Sequence, residues 1–123
     1  MTTSRFDTIR DLAHLEQFVA GSFDRPLVLF KHSRSCGTSH QALDEMQEHL
    51  ATGGRDATYA MLTVQEQRDL SDAIARHFAV RHETPQVLVI RDGKLAWSGS
   101  HFRVTASAIA TAVDAAAGAT VTT

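Results

Sequence analysis

Four apolar residues in a row, Leu27-Val28-Leu29-Phe30, leave no polar side for water. A run of this kind without alternation reads as a central strand buried on both faces, and such a strand needs helices above and below its sheet. The run stops at Lys31-His32-Ser33-Arg34-Ser35, and the only cysteine, Cys36, follows where a helix-competent stretch begins. A strand that delivers a cysteine to the first turn of a helix favours its anion. Backbone N–H groups without intrahelical partners point at the sulfur, and the helix dipole adds to them. A lone cysteine is more often a small buried hydrophobe. Here Ser33, Arg34, Ser35, Gly37, Thr38, Ser39 and His40 make the neighbourhood polar, which places a reactive thiol ahead of a packed one.

The remaining segments fill in the covering layers. Asp7 or Thr8 is positioned to cap a first helix carrying Ile9, Leu12, Leu15 and Val19, ended by Gly21-Ser22. After Cys36, the residues Ser39, Leu43, Met46 and Leu50 form one helical stripe that Gly53-Gly54 closes, with Ser39 inward one turn below the thiol. Tyr59 to Val64 reads as a second buried strand, Gln67 to Phe78 as a helix, and Val87 to Ile90 as a third strand. Asp92-Gly93 is a hairpin signal returning through Leu95 to Ser98. Thr105 caps a last helix running to Gly118, with Val104 and Ile109 as a hydrophobic staple.

The order α-β-α-β-α-β-β-α predicts an α/β fold, a four-stranded mixed sheet flanked by helices on both faces. With 123 residues it fits one domain spanning 1–123, with 1–5 and 119–123 as loose tails. A formal charge of -2, mixed in sign and without a basic stripe, argues against nucleic-acid partners. No apolar run reaches membrane-spanning length, no signal-peptide layout opens the chain, and one cysteine forms no internal disulfide. The expectation is a cytoplasmic, reducing compartment without membrane partners. His14, His49 and His77 read as ordinary helix residues, and the histidines show no metal-ligand spacing.

A cysteine after the first main strand of such a sheet is the thioredoxin arrangement, and Pro85, opening the third strand, stands where thioredoxin-like folds carry a cis proline. More specifically, Phe30-Lys31-His32-Ser33 before Cys36, Ser39 in C-x-x-S, His82-Glu83-Thr84-Pro85-Gln86-Val87-Leu88 and Ser100-His101-Phe102 resemble the YtxJ-type monothiol bacilliredoxins. The resemblance runs from about the first strand to the last helix. It implies a thioredoxin-like fold, no tightly bound cofactor, and bacillithiol as co-substrate. Its activity would be removal of bacillithiol from mixed disulfides on client proteins, with a low-molecular-weight thiol as second partner. One departure stands out: the family carries proline after the cysteine, and this chain has Gly37.

On this resemblance Cys36 is the attacking sulfur and Ser39 replaces a resolving cysteine, so the cycle is monothiol. The Ser39 hydroxyl either donates to the thiolate or bonds a carbonyl one turn back. Thr84 and Pro85 form a shelf that pairs with the substrate like an added strand. Gly37 offers a further N–H near the sulfur. Lys31, His32 and Arg34 raise the local potential and attract carboxylates of the thiol, unless they are solvated loop charges. His40 lies one turn into the helix, and His101 matches a family position. Trp97 and Phe102 line the groove or, on the usual behaviour of aromatics, belong to the core. Two other readings are an iron–sulfur carrier sharing a cluster through Cys36, and a non-enzymatic thioredoxin-like stress or interaction module.

Overall fold

A computed structural model describes residues 6–52 and 55–118. Met1–Arg5, the Gly53-Gly54 stop and the tail Ala119–Thr123 lie outside the described residues. Ten elements follow one another: β1 (Asp7–Thr8), α1 (Leu12–Gly21), β2 (Leu27–His32), α2 (Gly37–Ala51), β3 (Thr58–Thr63), α3 (Arg68–Phe78), β4 (Gln86–Arg91), β5 (Lys94–Ser100), a 3-10 turn (His101–Arg103) and α4 (Ala106–Gly118).

The sheet has five strands in the order β1-β3-β2-β4-β5, where the sequence predicts four. The added strand is a two-residue edge, Asp7 pairing with Ala60 and Thr8 with Met61, too short to show a period. Asp7 and Thr8 therefore do not cap α1. Asp11 does, its Oδ1 accepting the His14 N–H at 2.8 Å. Ile9 leaves the helical stripe for the same reason: its N–H donates to the Met61 carbonyl and its side chain is fully buried.

β2 is the centre of the sheet. It runs parallel to β3, from Leu27 opposite Thr58 to His32 opposite Thr63, and antiparallel to β4, from Leu27 opposite Ile90 to Lys31 opposite Gln86. All six residues of β2 are buried. Val28 and Phe30 pack with Met46, Ile109 and Val113 under α2 and α4, while Leu27 and Leu29 pack with Leu15, Leu70 and Ile74 under α1 and α3. Each such side chain contributes about 1.5–3 kcal/mol by leaving water. The α2 face is rotated from the expected stripe: Ser39, Ala42, Met46 and His49 are buried, and Leu43 and Leu50 pack at its margin. At the β4–β5 turn Asp92 (φ 56°) and Gly93 (φ 75°) are both left-handed, as a two-residue hairpin requires. Thr105 caps α4 through Oγ1 and the Ala108 N–H, over buried Val104 and Ile109.

Candidate active site

The site is built where β2 runs out and α2 begins. Cys36 is the N-cap of α2, with extended backbone (φ -113°, ψ 121°) and a partly buried side chain. Its carbonyl accepts the N–H groups of Ser39 (3.1 Å) and His40 (3.2 Å), which fixes the first turn beneath the sulfur. No acidic residue occupies that turn, so nothing opposes the positive end of the helix dipole. At Gly37 an added Cβ would meet nothing within 4 Å, so packing does not demand glycine there.

Ser39 is fully buried, inward as the register requires. Its hydrogen bonds, however, go to neither expected partner. Oγ accepts the Ser33 N–H at 2.8 Å and stands 2.9 Å from His32 Nδ1, tying the end of β2 to the first turn of α2. Burial first, then the charges of His40 and Arg34, hold His32 below its ordinary value of 6.5 against the raising effect of Ser39. The His40 ring stands edge-on to that of His32, and its Nε2–H donates to the Arg34 carbonyl at 2.9 Å.

Lys31 corrects the sequence reading. It is not a loop charge beside Cys36: it belongs to β2, has no exposed surface, and its Nζ lies 3.4 Å from the Ser71 carbonyl of α3. Alternation along β2 sends His32 to the α2 side of the sheet and Lys31 to the other. Burial, only partly offset by Asp72, lowers its ammonium to about 8. Arg34 is exposed, as expected of a loop charge, and ion-paired with Glu66.

The Thr84–Pro85 bond is cis. Because Lys31 pairs with Gln86, the antiparallel register sets Pro85 beside His32, at the end of the sheet where α2 starts. The Pro85 carbonyl accepts the His101 N–H at 3.0 Å, which brings the 3-10 turn to the same corner. His101 is exposed with φ 56°. A groove of about 470 Å³ lies between Glu83, Ser100 and His101–Arg103, and a small cleft joins His101 and Phe102 to Thr38 and Gln41 of α2. Ser100 Oγ–H donates to Glu83 and holds that carboxyl below its usual range, helped by His101, Arg81 and Arg103. The two aromatics divide. Trp97 packs against the core, whereas Phe102 is 73% exposed and so not a core residue, and it borders the cleft and groove just described.

Sequence reasoning missed Gln65 and Glu66, which follow β3 and hold the loop before Cys36. Gln65 Oε1 accepts the Arg34 N–H at 3.2 Å, and Nε2 donates to Ser33 Oγ at 2.8 Å and Ser35 Oγ at 3.1 Å. They stand some thirty residues away in the chain, and only the parallel pairing of β2 with β3 brings them close.

Sheet order, cis proline and helix-capping cysteine together define a thioredoxin-fold thiol protein. The family model of monothiol bacilliredoxin BrxC matches residues 7–109, and the chain belongs to that family. A solved structure described as a candidate oxidoreductase with a thioredoxin fold is 31% identical, covering 85% of this chain and 90% of its own, with a TM-score of 0.76. A mutant thioredoxin from Halobacterium salinarum (14% identity, 95% of each chain, TM-score 0.74) is similar in fold. So is Fasciola hepatica thioredoxin (17% identity, 90% of this chain and 99% of that one, TM-score 0.71).

Proposed function

We propose that this chain is a monothiol thiol–disulfide exchange enzyme that removes bacillithiol from mixed disulfides of cytoplasmic client proteins. The observation that carries the reading is the position of the sole cysteine: partly exposed, N-capping α2, and at the same corner as the cis Thr84–Pro85 segment. The Cys36 thiolate attacks the bacillithiol sulfur of the client disulfide. That S–S bond breaks, its electron pair leaves on the client sulfur, which takes a proton, and Cys36 now carries bacillithiol. Ser39 cannot supply a second sulfur. A second bacillithiol thiolate therefore attacks the bacillithiol sulfur on Cys36, releasing bacillithiol disulfide and the Cys36 thiolate. In balance, the client mixed disulfide and one free bacillithiol give the client thiol and bacillithiol disulfide: one disulfide is exchanged for another, and only the incoming bacillithiol is newly oxidised.

In this scheme Thr84 and Pro85 receive the client backbone. The Gly37 N–H lies among the unpaired donors of the helix start, near the attacked disulfide. Arg34 and His101 border the site and favour the carboxylates of bacillithiol, while His32 acts through Ser39. The test incubates the protein with a bacillithiol-modified client and follows both masses. Transfer of one bacillithiol to Cys36, with recovery of the client thiol, is expected, and Cys36→Ala should abolish it at unchanged melting temperature. Transfer from glutathione adducts alone would move the substrate to another thiol. Persistence of transfer in Cys36→Ala would end the mechanism.

A further inference from the structure

Among the described residues Phe102 is the most exposed large apolar side chain. Packing does not ask for an aromatic there, because Val104, two residues on, is buried in the cluster of Phe30 and Ile109 and supplies the core contact of this turn. The chain reverses on His101, which is left-handed at φ 56° and whose N–H is held by the Pro85 carbonyl at 3.0 Å. A non-glycine residue in that region is strained, and such strain persists where its surroundings impose it, commonly at ligand sites.

The groove that Phe102 borders, at about 470 Å³, falls within the roughly 300–1,000 Å³ of small-ligand clefts. Its lining is chemically mixed. Phe102 offers an apolar ring, Glu83 is bonded to Ser100, and Arg103 is exposed. The Arg103 guanidinium acts on Glu83 at longer range but has no hydrogen bond or ion pair of its own among the described residues. Arg81 acts on Glu83 as well, so two guanidinium groups surround the one carboxylate of the groove. The turn also reaches the reactive corner. His101 is tied to Pro85, and the cleft beside Phe102 is lined by Thr38, two residues after Cys36.

We propose that Phe102 and Arg103 form the subsite that selects the low-molecular-weight thiol, one built on a sugar and a dicarboxylate: the Phe102 ring packs on the C–H face of the pyranose, and the Arg103 guanidinium pairs with the carboxylates. This deepens the exchange reading and rests on it for the choice of thiol. Bacillithiol is cysteine joined by an amide to glucosamine, whose anomeric carbon carries malate, so thiol, sugar and carboxylates follow in one line. An aromatic ring covers an apolar face without needing hydrogen bonds. A guanidinium fork matches a carboxylate in a bidentate pair. Glu83 is left for the cysteinyl ammonium.

The test is an NMR titration of the full chain with S-methyl bacillithiol, whose sulfur cannot exchange, and with the same compound lacking malate. Backbone amide shifts at Ser100–Arg103 are expected with both, and tighter binding with malate present. Phe102→Ala should raise both dissociation constants about three- to tenfold, the scale of one aromatic contact or one charge-assisted pair in a partly wet site. Arg103→Gln should raise the constant of S-methyl bacillithiol by a similar factor and leave that of the malate-free compound unchanged. Arg103→Lys should recover part of the loss, since it keeps the charge but not the fork. Both side chains are exposed, so melting temperatures should stay at the wild-type value. Wild-type shifts that bypass Ser100–Arg103 overturn the proposal, as does an affinity that Phe102→Ala leaves unchanged or an Arg103→Gln effect equal on both ligands. Should a variant fail to fold, equal wild-type affinity for the two ligands overturns it alone. Binding at the turn without transfer of bacillithiol from a client keeps the subsite and ends the exchange reading, whereas transfer without such binding does the reverse.

Discussion

At the scale of single residues, the corner before Cys36 is held by side chains that satisfy one another. Ser39→Ala leaves the Ser33 N–H and His32 Nδ1 without their buried partner. The expected cost is about 1–3 kcal/mol, the penalty for stranding a buried polar group, read as a lowered urea midpoint. Lys31→Met should act in the opposite direction. It replaces a buried ammonium with an apolar chain of similar length, and should raise stability at neutral pH by about 1 kcal/mol or more. A fall in the urea midpoint would show that the Ser71 contact outweighs desolvation. The inward direction of Ser39 was legible, because helical spacing fixes direction. Its partners were not, since they depend on where the preceding loop folds back. Lys31 misled because the strand runs two residues past its apolar run, and an ammonium at a strand end reads as a loop charge until the opposite face is known to be covered.

At the scale of elements, the predicted α3 and β4 fall within a residue of the observed ones, whereas α1 starts at Leu12, several residues after the expected cap. β1 escaped because two residues carry no period, and its pairing with β3 is set by chain folding alone. The edge strand β5 shows a different constraint. The Trp97 ring folds across Gly99 so closely that a Cβ there would stand 2.5 Å from it. Gly99→Ala should therefore push the indole off the core, destabilising the fold by about 1–3 kcal/mol. Tryptophan fluorescence should shift to the red in the same variant, and an unshifted spectrum with wild-type stability would contradict this packing. The end of α2 remote from Cys36 carries a second buried pair. Tyr59 Oη accepts the Arg55 N–H at 3.1 Å and is hydrogen-bonded to His49 Nε2 at 2.7 Å.

At the scale of the whole molecule, buried bases make stability depend on pH. His32, His49 and His82 all lie below the ordinary 6.5, each chiefly through burial. Between their folded values and 6.5 the unfolded chain binds more protons, so stability rises with pH across that window. It is lost as pH falls from 6.5 through the folded values. Lys31 adds a second rise, from about 8 to 10.5, because there too the unfolded chain holds the proton that the folded chain has released. Urea midpoints measured from acid to alkaline pH should show both slopes. Lys31→Met should remove the alkaline rise, and His49→Gln, whose amide can still hydrogen-bond to Tyr59, should flatten part of the acid one. Midpoints constant across both windows would mean that these bases are hydrated in the native state. The alternation along β2 has a consequence for any alteration of that strand. Deleting one residue between Leu27 and His32 would exchange the two neighbours at its tip, turning the amine toward the sulfur's helix and the imidazole toward α3. Loops elsewhere can absorb such a change, but here strand length is part of the chemistry.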